Sequence, residues 1–414
     1  MRKRWEIKKL GDIATFQRGL TYSKKDEVAI SSNIVLRSNN VDLSTNLLDL
    51  SELKYIKDSI KIPEDKRVSK GSLIICTANG SKVHLGKVAL IDKSYEYAFG
   101  GFMGQLTPSK EVDSKYLFFA LTSDSYKMFI GNLSDGANIN NLKFDDLKEF
   151  SLPIPSLPEQ KRIVAILDEV FAAIDKAKAN TQKNLQNAKE LFESYLQGVF
   201  ENKGEDWEEK RLKEIASVFG GYSFKSKDFK SSGMYQVLRM GNIRPGIIRN
   251  EESPVFIEKV DESVLKRALL KKDDVVITQT GTKKKRDYGF TVIIDKDNYL
   301  VNQRIAAIRF PGNYLSKFFL YYSWTNYFKD QYFANETGTV GQGNVGIGAV
   351  TDALVPFCSI EEQRRVVSDI DTILFHTNKL ETIHQKKLDD LEELKKSILQ
   401  KAFNGELTEK NILV

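Results

Sequence analysis

The chain has 414 residues, of which 41% are hydrophobic and 29% charged, and its formal net charge is +6. This composition is typical of a soluble globular protein with two or three domains, and the lack of any run of 18 apolar residues excludes a transmembrane helix. The basic start, residues 1–6, has no apolar stretch behind it, so we expect no secretory signal. The two cysteines, Cys76 and Cys358, are far apart in the chain, which argues against disulfides or a zinc site and for the reducing cytoplasm.

The positive charge is concentrated in two stretches of equal length. Residues 1–150 carry 23 basic and 19 acidic side chains, a net of +4, and residues 206–355 carry 23 and 18, a net of +5. The segments that follow each stretch are slightly negative. Two basic modules on nearly neutral connectors are compatible with nucleic-acid binding, although an excess of this size is weak support by itself.

The chain is an internal duplication. Residues 5–26 match 207–228 at a constant offset of 202, and 9 of these 22 positions are identical. A second match, at offset 203, joins 152–164 to 355–367. The repeat is too long for a solenoid, so we interpret it as a two-fold duplication. The predicted order is domain 1–150, connector 151–205, domain 206–355 and connector 356–414.

Both domains are predicted to be mixed α/β. Residues 71–81 form a short apolar strand that runs into a glycine-containing turn, and 273–282 repeat this pattern. A second strand follows at 88–92 and again at 291–295, and a helix is predicted to begin at 114 and at 316. The stretches between these elements differ in the two halves. Similar frameworks with different variable surfaces indicate two different ligands of one class.

Each connector is predicted to be one long amphipathic helix. No proline or glycine occurs between Pro158 and Gly198, and apolar residues recur at steps of three and four in both connectors. Ser156 is a candidate N-cap with Pro158 in the first turn. A helix of about 40 residues is on the order of 60 Å long. The order of segments predicts an antiparallel helix pair with a domain at each end, and the alternative is a coiled coil that merely dimerises the protein.

These features together resemble one known family over the whole chain, the specificity subunit of type I restriction–modification systems. The similar motifs are the opening Trp-Glu-x-x-x-Leu-x-x-Ile-Ala, the strand ending in Asn-Gly-Ser or Thr-Gly-Thr, the Pro-x-x-Ser-x-x-Glu-Gln-x-Arg-Ile/Val-Val stretch before each helix, and the closing Ala402-Phe-Asn-Gly-Glu-Leu-Thr. The resemblance implies an α+β fold, with two duplicated α/β target-recognition domains joined by two long antiparallel coiled-coil helices in a pseudo-two-fold arrangement.

The resemblance also implies a function and partners. Each domain would read one half of an asymmetric bipartite DNA sequence, and the helices would set the spacer. Two modification (methyltransferase) subunits, which use S-adenosylmethionine to methylate adenine, would dock on the helices, and restriction motor-nuclease subunits can join them. The candidate docking residues are Ile163, Val170, Ile174, Leu191, Val366, Ile370, Ile373 and Leu391.

We expect no catalysis, cofactor or metal in this chain. A glycine-rich cofactor loop and the Pro-Pro-aromatic motif of adenine methyltransferases do not occur. Residues 80–88 miss the Walker A pattern by one position in spacing and by Val88 in place of Ser or Thr. A rival class is a non-catalytic coiled-coil scaffold with two protein-binding adaptor domains, and steeply salt-dependent DNA affinity would separate the two. An orphan copy of the family is a further alternative.

The candidate DNA contacts are side chains that bind phosphates or read base edges from predicted loops. The basic run after Thr282 is the best of them, with a solvated hairpin as the alternative. Arg37 and Arg239 either read guanine or hold the fold. The glycine-rich run 338–348 and its counterpart 136–142 are interpreted as loops leading towards the connector helices and as candidate contacts to the DNA backbone. The full set is Lys24, Lys25, Arg37, Asn39, Asn40, Asn79, Ser81, Lys82, His84, Lys227, Arg239, Asn242, Arg244, Thr280, Thr282, Lys283, Lys284, Lys285, Arg286, Gln303 and Arg304.

Overall fold

The computed structural model describes residues 5–135, 141–339 and 341–408. By its contacts the chain divides into two compact units, one made of Met1–Gln182 with Lys386–Val414 and the other of Lys183–Gln385. We call them unit 1 and unit 2. Each contains one copy of the sequence repeat and a part of both connectors. Within the described ranges, no helix is both long enough and apolar enough to cross a membrane.

The first copy begins with a strand and ends in the first connector helix. Its strands are β1 (Glu6–Lys9), β2 (Ala14–Arg18), β3 (Glu27–Val28), β4 (Asn33–Leu36), β5 (Lys54–Ile56), β6 (Leu73–Cys76), β7 (Val88–Leu90), β8 (Ala98–Phe99), β9 (Met103–Pro108) and β10 (Ser151–Ile154). Its helices are α1 (Leu10–Ile13), α2 (Ser114–Ala120), α3 (Asp124–Asp135), α4 (Phe144–Lys148) and the connector α5 (Leu157–Glu201).

The second copy has the same framework. Its strands are β11 (Glu208–Arg211), β12 (Ser217–Gly220), β13 (Tyr235–Leu238), β14 (Ile243–Arg244), β15 (Ile247–Ile248), β16 (Phe256–Ile257), β17 (Val275–Thr278), β18 (Thr280–Gly281), β19 (Thr291–Ile293), β20 (Tyr299–Val301), β21 (Ile305–Arg309), β22 (Thr337–Thr339), β23 (Gln342–Asn344) and β24 (Leu354–Phe357). Its helices are α6 (Leu212–Ile215), α7 (Glu262–Ala268), α8 (Ser316–Ser323), α9 (Asn326–Phe333), α10 (Ile347–Thr351) and the connector α11 (Ile360–Phe403).

The sheets repeat between the two copies. An antiparallel sheet with the order β2-β9-β6-β7 in unit 1 corresponds to β12-β21-β17-β19 in unit 2, and β1-β10 corresponds to β11-β24. The central strands β6 and β17 are buried along their whole length, because a neighbouring strand lies on each side, helices pack on one face of the sheet, and apolar side chains from the second sheet of the domain pack on the other. This explains why both are continuous apolar runs in the sequence. The strands predicted at 71–81, 88–92, 273–282 and 291–295 and the helix starts at 114 and 316 are confirmed.

A buried glutamine attaches each connector helix to its domain. Gln160, in the first turn of α5, is fully buried; its amide donates to the carbonyl oxygens of Glu111 and Pro155 (2.9 Å each) and accepts from the N–H of Asp113 (2.8 Å). Asp113 in turn caps α2. The equivalent bonds in unit 2 join Gln363 of α11 to Asn313, Leu315 and Cys358. We call these two arrangements the glutamine clamps.

Further contacts join helices within each unit. In unit 1 the Asp175 carboxylate of α5 lies 3.3 Å from the ammonium of Lys395 in α11, and Lys178 of α5 pairs with Glu392 of α11.

Helix α5 continues beyond Gly198 to Glu201, because Phe200 packs into the aromatic core of unit 2. The packing of a few apolar side chains therefore overrides the helix-ending tendency of one glycine.

The two cysteines are free and buried. Burial raises the pKa of the Cys76 thiol to about 11 and that of Cys358 to about 12, so both remain protonated at neutral pH. The sequence-based expectation of unpaired thiols is confirmed.

Candidate nucleic-acid interface

In unit 2, a small sheet forms where β17 ends. Strand β18 follows β17 after one residue and pairs with β23, which pairs with β22. The glycine-rich run 338–348 therefore supplies part of a hairpin and helix α10, whereas the sequence predicted only a loop. Residue 340 of this run lies outside the described residues, as do 136–140 of its counterpart.

Close packing explains two glycines of this small sheet. A Cβ atom added to Gly281 would lie 2.6 Å from the Asp287 carboxylate, and one added to Gly343 would lie 2.3 Å from the Tyr288 hydroxyl. That hydroxyl donates to Glu336, and burial raises the pKa of Tyr288. The glycines therefore permit the close approach of these side chains.

The basic run forms a tight turn directly after β18. The N–H of Arg286 donates to the carbonyl of Thr282 (2.8 Å), and the N–H of Thr282 donates to the Asp287 carboxylate (2.6 Å). The second bond lowers the pKa of Asp287, so this carboxylate stays ionised and holds the turn. Lys284, Lys285 and Arg286 are exposed, and the Arg286 guanidinium lies 4.8 Å from the centre of the Phe333 ring. The turn thus presents cations on a fixed backbone.

Replacing Lys283, Lys284 and Lys285 together by glutamine is expected to weaken DNA binding to a similar degree for all sequences. Each phosphate contact that is lost lowers the slope of log K against log salt by about 0.9, so the slope should fall by up to about 2.7. Fluorescence anisotropy over a salt series measures it. The matched control replaces Lys271, Lys272 and Lys296 by glutamine. These exposed lysines lie before β17 and after β19, at the end of this strand pair that is away from the basic turn. An equal loss in both triple variants would show that only net charge matters.

In unit 1, the corresponding loop follows β6. Asn79 is half-buried; its amide donates to the Ser38 hydroxyl (3.0 Å) and accepts from the N–H of Ser81 (2.9 Å). Ser81 and Lys82 are exposed at the start of a short 3-10 helix, Lys82–His84. His84 is half-buried, and its Nδ1 atom has no hydrogen-bond partner among the described residues.

A cavity of about 520 Å³ lies beside this loop. Thr77 and Ala78, at the end of β6, form one wall of it. None of its lining side chains is in the predicted set of DNA contacts, because most of them are distant in the chain and carry no motif, but Asn141 and Leu142 end the predicted loop 136–142. The remaining lining residues are Arg18, Gly101, Phe102, Met103, Asn141, Leu142, Lys143 and Phe144.

Two asparagines of the predicted set are buried and serve their own loops. The Asn40 amide, 1% exposed, donates to the carbonyl oxygens of Asp49 and Glu52 (2.9 Å each) and accepts from the N–H of Arg37 (2.9 Å). Asn242 repeats these bonds with Arg239, Arg249 and Glu252. With all three strong hydrogen bonds made internally, the geometry favours a structural role for both asparagines over direct contact with DNA.

The arginines predicted to contact DNA differ in the hydrogen bonds that their side chains make. Arg239 donates to the carbonyl of Ser253 (2.5 Å), and Arg244 donates to that of Ile243 (2.8 Å), so both stabilise local backbone. Arg37 is half-buried, and its Nε atom has no hydrogen-bond partner within the described ranges. Arg304 is exposed and donates to the Asn344 amide oxygen (3.0 Å), which also accepts from Thr280 (2.8 Å). The Thr280–Asn344–Arg304 group connects the small sheet to the loop before β21.

The other candidates lie at the surface. Lys24 and Lys25 are exposed in the 3-10 helix Lys24–Asp26, and Lys227 is exposed in its equivalent, Ser226–Asp228. Asn39 and Gln303 are also exposed, and Gln303 accepts a bond from Ser223 (3.2 Å). DNA contact by these residues stays a prediction.

Comparison with known proteins decides the class of this chain. A family model described as the type I restriction modification DNA specificity domain matches residues 2–186 and again 204–393. The chain belongs to this family. The two matched stretches contain the two copies of the sequence repeat, so the predicted resemblance to specificity subunits is confirmed.

Individual relatives agree with this assignment. The type I restriction enzyme EcoKI specificity subunit of Escherichia coli (strain K12) is 27% identical over 429 residues, which cover 98% of this chain and 89% of the relative. The HsdS subunit from Thermoanaerobacter tengcongensis is 17% identical, with 98% of each chain covered and a TM-score of 0.62. A chain from a structural study of complex assembly and conformational transition in the type I R-M system is also 17% identical. The match covers 98% of this chain and 99% of that chain, and the TM-score is 0.78.

The specificity-domain fold confirms the predicted mixed α/β architecture with two repeated domains and a long helix between them. Within the described ranges, no group of three or more His, Cys, Asp or Glu side chains is placed to hold a metal ion.

The predicted docking residues on the helices differ in burial. Ile163, Val366 and Ile370 are buried in the cores of their own units, because α5 and α11 cover the domains there, and Ile174 is buried on α5 outside those cores. This geometry favours a role in joining helix to domain. Val170, Ile373 and Leu391 are half-buried, while Leu191 is 56% exposed and so accessible to another chain. Partner docking stays a prediction for the whole set.

Proposed function

We propose that this specificity subunit recognises an asymmetric bipartite DNA sequence, one half through each domain. The observation that carries the proposal is the presence of one framework in both units with different side chains at the strand ends. Unit 1 presents Asn79, Ser81 and Lys82 where unit 2 presents a basic turn, 283–286. Equivalent scaffolds with unlike surfaces would read unlike half-sites.

In this proposal the chain is non-catalytic and directs partner subunits. Two modification subunits, which use S-adenosylmethionine, would methylate adenine in the recognised sequence, and restriction subunits would cleave unmethylated DNA. The family match to a DNA specificity domain favours this reading over a protein-binding scaffold. The accessible faces of α5 and α11, Leu191 among them, are the proposed docking surface for the modification subunits.

Methylation mapping tests the proposal directly. The chain is co-expressed with its modification subunit, and methyladenine is mapped across the host genome. Methylation at one asymmetric bipartite motif, lost when this chain is deleted, is the expected result. A palindromic or undivided motif would contradict the two-domain reading, and the lack of both a complex and low-salt DNA binding would favour the scaffold.

The connector helices are the proposed ruler between the half-sites, as an antiparallel coiled-coil pair with pseudo-two-fold symmetry. The interhelical ion pairs Asp175–Lys395 and Lys178–Glu392 support such pairing in unit 1. Two readers on one face of B-DNA must lie about one turn, roughly 34 Å, or a multiple apart. Helices with 45 and 44 residues are long enough to hold such a distance.

Insertion of one heptad into both helices is expected to lengthen the spacer and to leave both half-sites unchanged. Seven residues add about 10 Å of helix, which corresponds to at most about three base pairs. The insertions are placed after Gln182 and Gln385, where the two units meet in the chain. Methylation mapping reads the outcome. A control exchanges exposed residues of both helices at constant length and should keep the spacer; altered bases in a half-site would refute the ruler.

A further inference from the structure

Position 102 in unit 1 and position 304 in unit 2 are structural equivalents. Each supplies the carbonyl that accepts the first N–H after the central strand: Thr77 donates to Phe102 (2.9 Å) and Gln279 donates to Arg304 (2.8 Å). Both pairs are separated by the repeat offset of 202. The two side chains nevertheless differ completely in chemistry.

The loops that carry these residues have the same hydrogen-bond frame. In unit 1, Gly19 donates to Met103 (3.1 Å), and Gly100 donates to Leu36 (2.8 Å). In unit 2, the equivalent bonds join Gly221 to Ile305 (2.8 Å) and Asn302 to Leu238 (3.1 Å). The backbone of both loops is thus tied to two strands.

A close backbone contact holds each loop in place. A Cβ atom added to Gly19 would lie 2.0 Å from the carbonyl oxygen of Gly100, and one added to Gly221 would lie 1.8 Å from that of Asn302. The chain can approach so closely only where no side chain intervenes. Positions 102 and 304 therefore project from a preorganised frame, as a specific contact requires.

Neither side chain is explained by packing of the domain. Phe102 is 72% exposed. Arg304 is exposed and has a φ of +69°, a left-handed conformation that is strained for a residue other than glycine. A strained backbone of the kind found at Arg304 concentrates at functional sites.

The surroundings of both positions fit DNA. Phe102 lines the 520 Å³ cavity together with Arg18 and Lys143, two cations of the kind that bind phosphates. Arg304 belongs to the Thr280–Asn344–Arg304 group, and Thr280 of this group shortly precedes the basic turn in the chain. Its guanidinium has five N–H donors, of which Asn344 accepts one.

We propose that positions 102 and 304 determine specificity, one in each half-site. Phe102 contacts a base of the first half-site through apolar surface, such as a thymine methyl group or an opened base step, and Arg304 hydrogen-bonds a base edge of the second, guanine being the preferred partner of arginine. This inference rests on the proposed function. It adds Phe102, which carries no charge or motif, to the reading surface, and it assigns the two domains contacts of opposite polarity.

The experiment measures binding of the full chain to four duplexes, which carry the mapped target, the target with the first or the second half-site scrambled, and both scrambled. Phe102→Ala is expected to lose about 5- to 100-fold of the discrimination at the first half-site and none at the second. Arg304→Ala should show the reverse pattern. Arg304→Gly should repeat that loss without lowering the thermal midpoint, because glycine accepts the positive φ.

Ile7→Ala is the matched control. Ile7 is an exposed apolar residue (63% exposed) away from Phe102. It lies before α1, which leads into the Ala14 end of β2. The other end of β2, at Arg18, pairs with Gly104, which is close to Phe102 in the chain. Ile7→Ala should bind all four duplexes as the wild type does. Phe102→Ala should also keep the wild-type thermal midpoint, since an exposed side chain contributes little to packing.

The outcomes separate the two proposals. If the wild type does not prefer the target duplex, the proposed function fails. If the wild type discriminates and Phe102→Ala discriminates equally well at the first half-site, the inference on Phe102 is refuted, and the same holds for Arg304 at the second. Replacing single thymines of the first half-site by uracil distinguishes the two modes of contact. If uracil weakens binding of the wild type and not of Phe102→Ala, Phe102 contacts a thymine methyl group. If Phe102→Ala loses discrimination and no uracil weakens binding of the wild type, Phe102 contacts an opened base step.

Discussion

Gly221→Ala is expected to destabilise the second domain by at least about 3 kcal/mol, because the added Cβ would lie 1.8 Å from the carbonyl oxygen of Asn302. The opposing atom belongs to backbone, so relief requires the end of β12 to separate from the loop after β20. That movement breaks the bonds from Tyr222 to Val301 (3.0 Å) and from Gln303 to Tyr222 (2.9 Å). Buried groups that lose partners cost about 1–3 kcal/mol each.

Urea unfolding followed by circular dichroism measures this effect, with Gly241→Ala as the control. A Cβ at Gly241 meets nothing within 4 Å, and its φ is not positive, so the substitution should change stability by less than about 0.5 kcal/mol. Gly19→Ala should behave as Gly221→Ala does, in the first domain. If Gly221→Ala unfolded at the wild-type midpoint, the loop could yield, and the preorganised frame of position 304 would be disproved.

The framework of this chain could be predicted from the sequence because its signals are local or repeated. The apolar runs that became β6 and β17 each form a strand buried on both sides, and the three- and four-residue steps of the connectors became α5 and α11. The offset of 202 between the two copies aligned Gly19 with Gly221, but the alignment could not show why glycine is needed at these positions. That reason is a contact with a loop some 80 residues later in the chain.

The reading surface was harder to predict, because it depends on contacts between distant loops. Asn40 and Asn242 look like exposed polar loop residues, yet both are buried by bonds to carbonyls of the following loop. Phe102 looks like a core residue and is exposed. The glycine-rich run pairs through β23 with β18, more than 60 residues earlier, and strand pairing at that distance leaves no periodic pattern in the sequence.

Gln363→Leu and Gln160→Leu are each expected to cost about 3–5 kcal/mol of stability in their own unit. Leucine fills a similar volume and offers no polar atom, so the N–H of Leu315 and the carbonyls of Asn313 and Cys358 would be left without their partner in unit 2. Both glutamines are fully buried, and water cannot replace the lost bonds without opening the junction. Denaturant unfolding of each variant measures the cost.

Gln186→Leu is the control, because Gln186 is exposed on α5 and its side-chain amide donates to Glu190, one turn later on the same helix. It should change stability by less than about 0.5 kcal/mol. Equal stability of the Gln363 and control variants would show that the clamps are dispensable.

The clamps also connect stability to the proposed ruler. A rigid helix can fix the distance between two half-sites only if each domain has a fixed orientation on its helix. The ion pairs Lys115–Asp168 (2.6 Å) and Lys317–Asp371 (2.7 Å) lie about two turns further along the same helices and would hold a loosened junction in part. A clamp variant that still folds should therefore keep both half-sites in methylation mapping and accept more than one spacer length. A single unchanged spacer in such a variant would mean that partner subunits, and not the clamps, orient the domains.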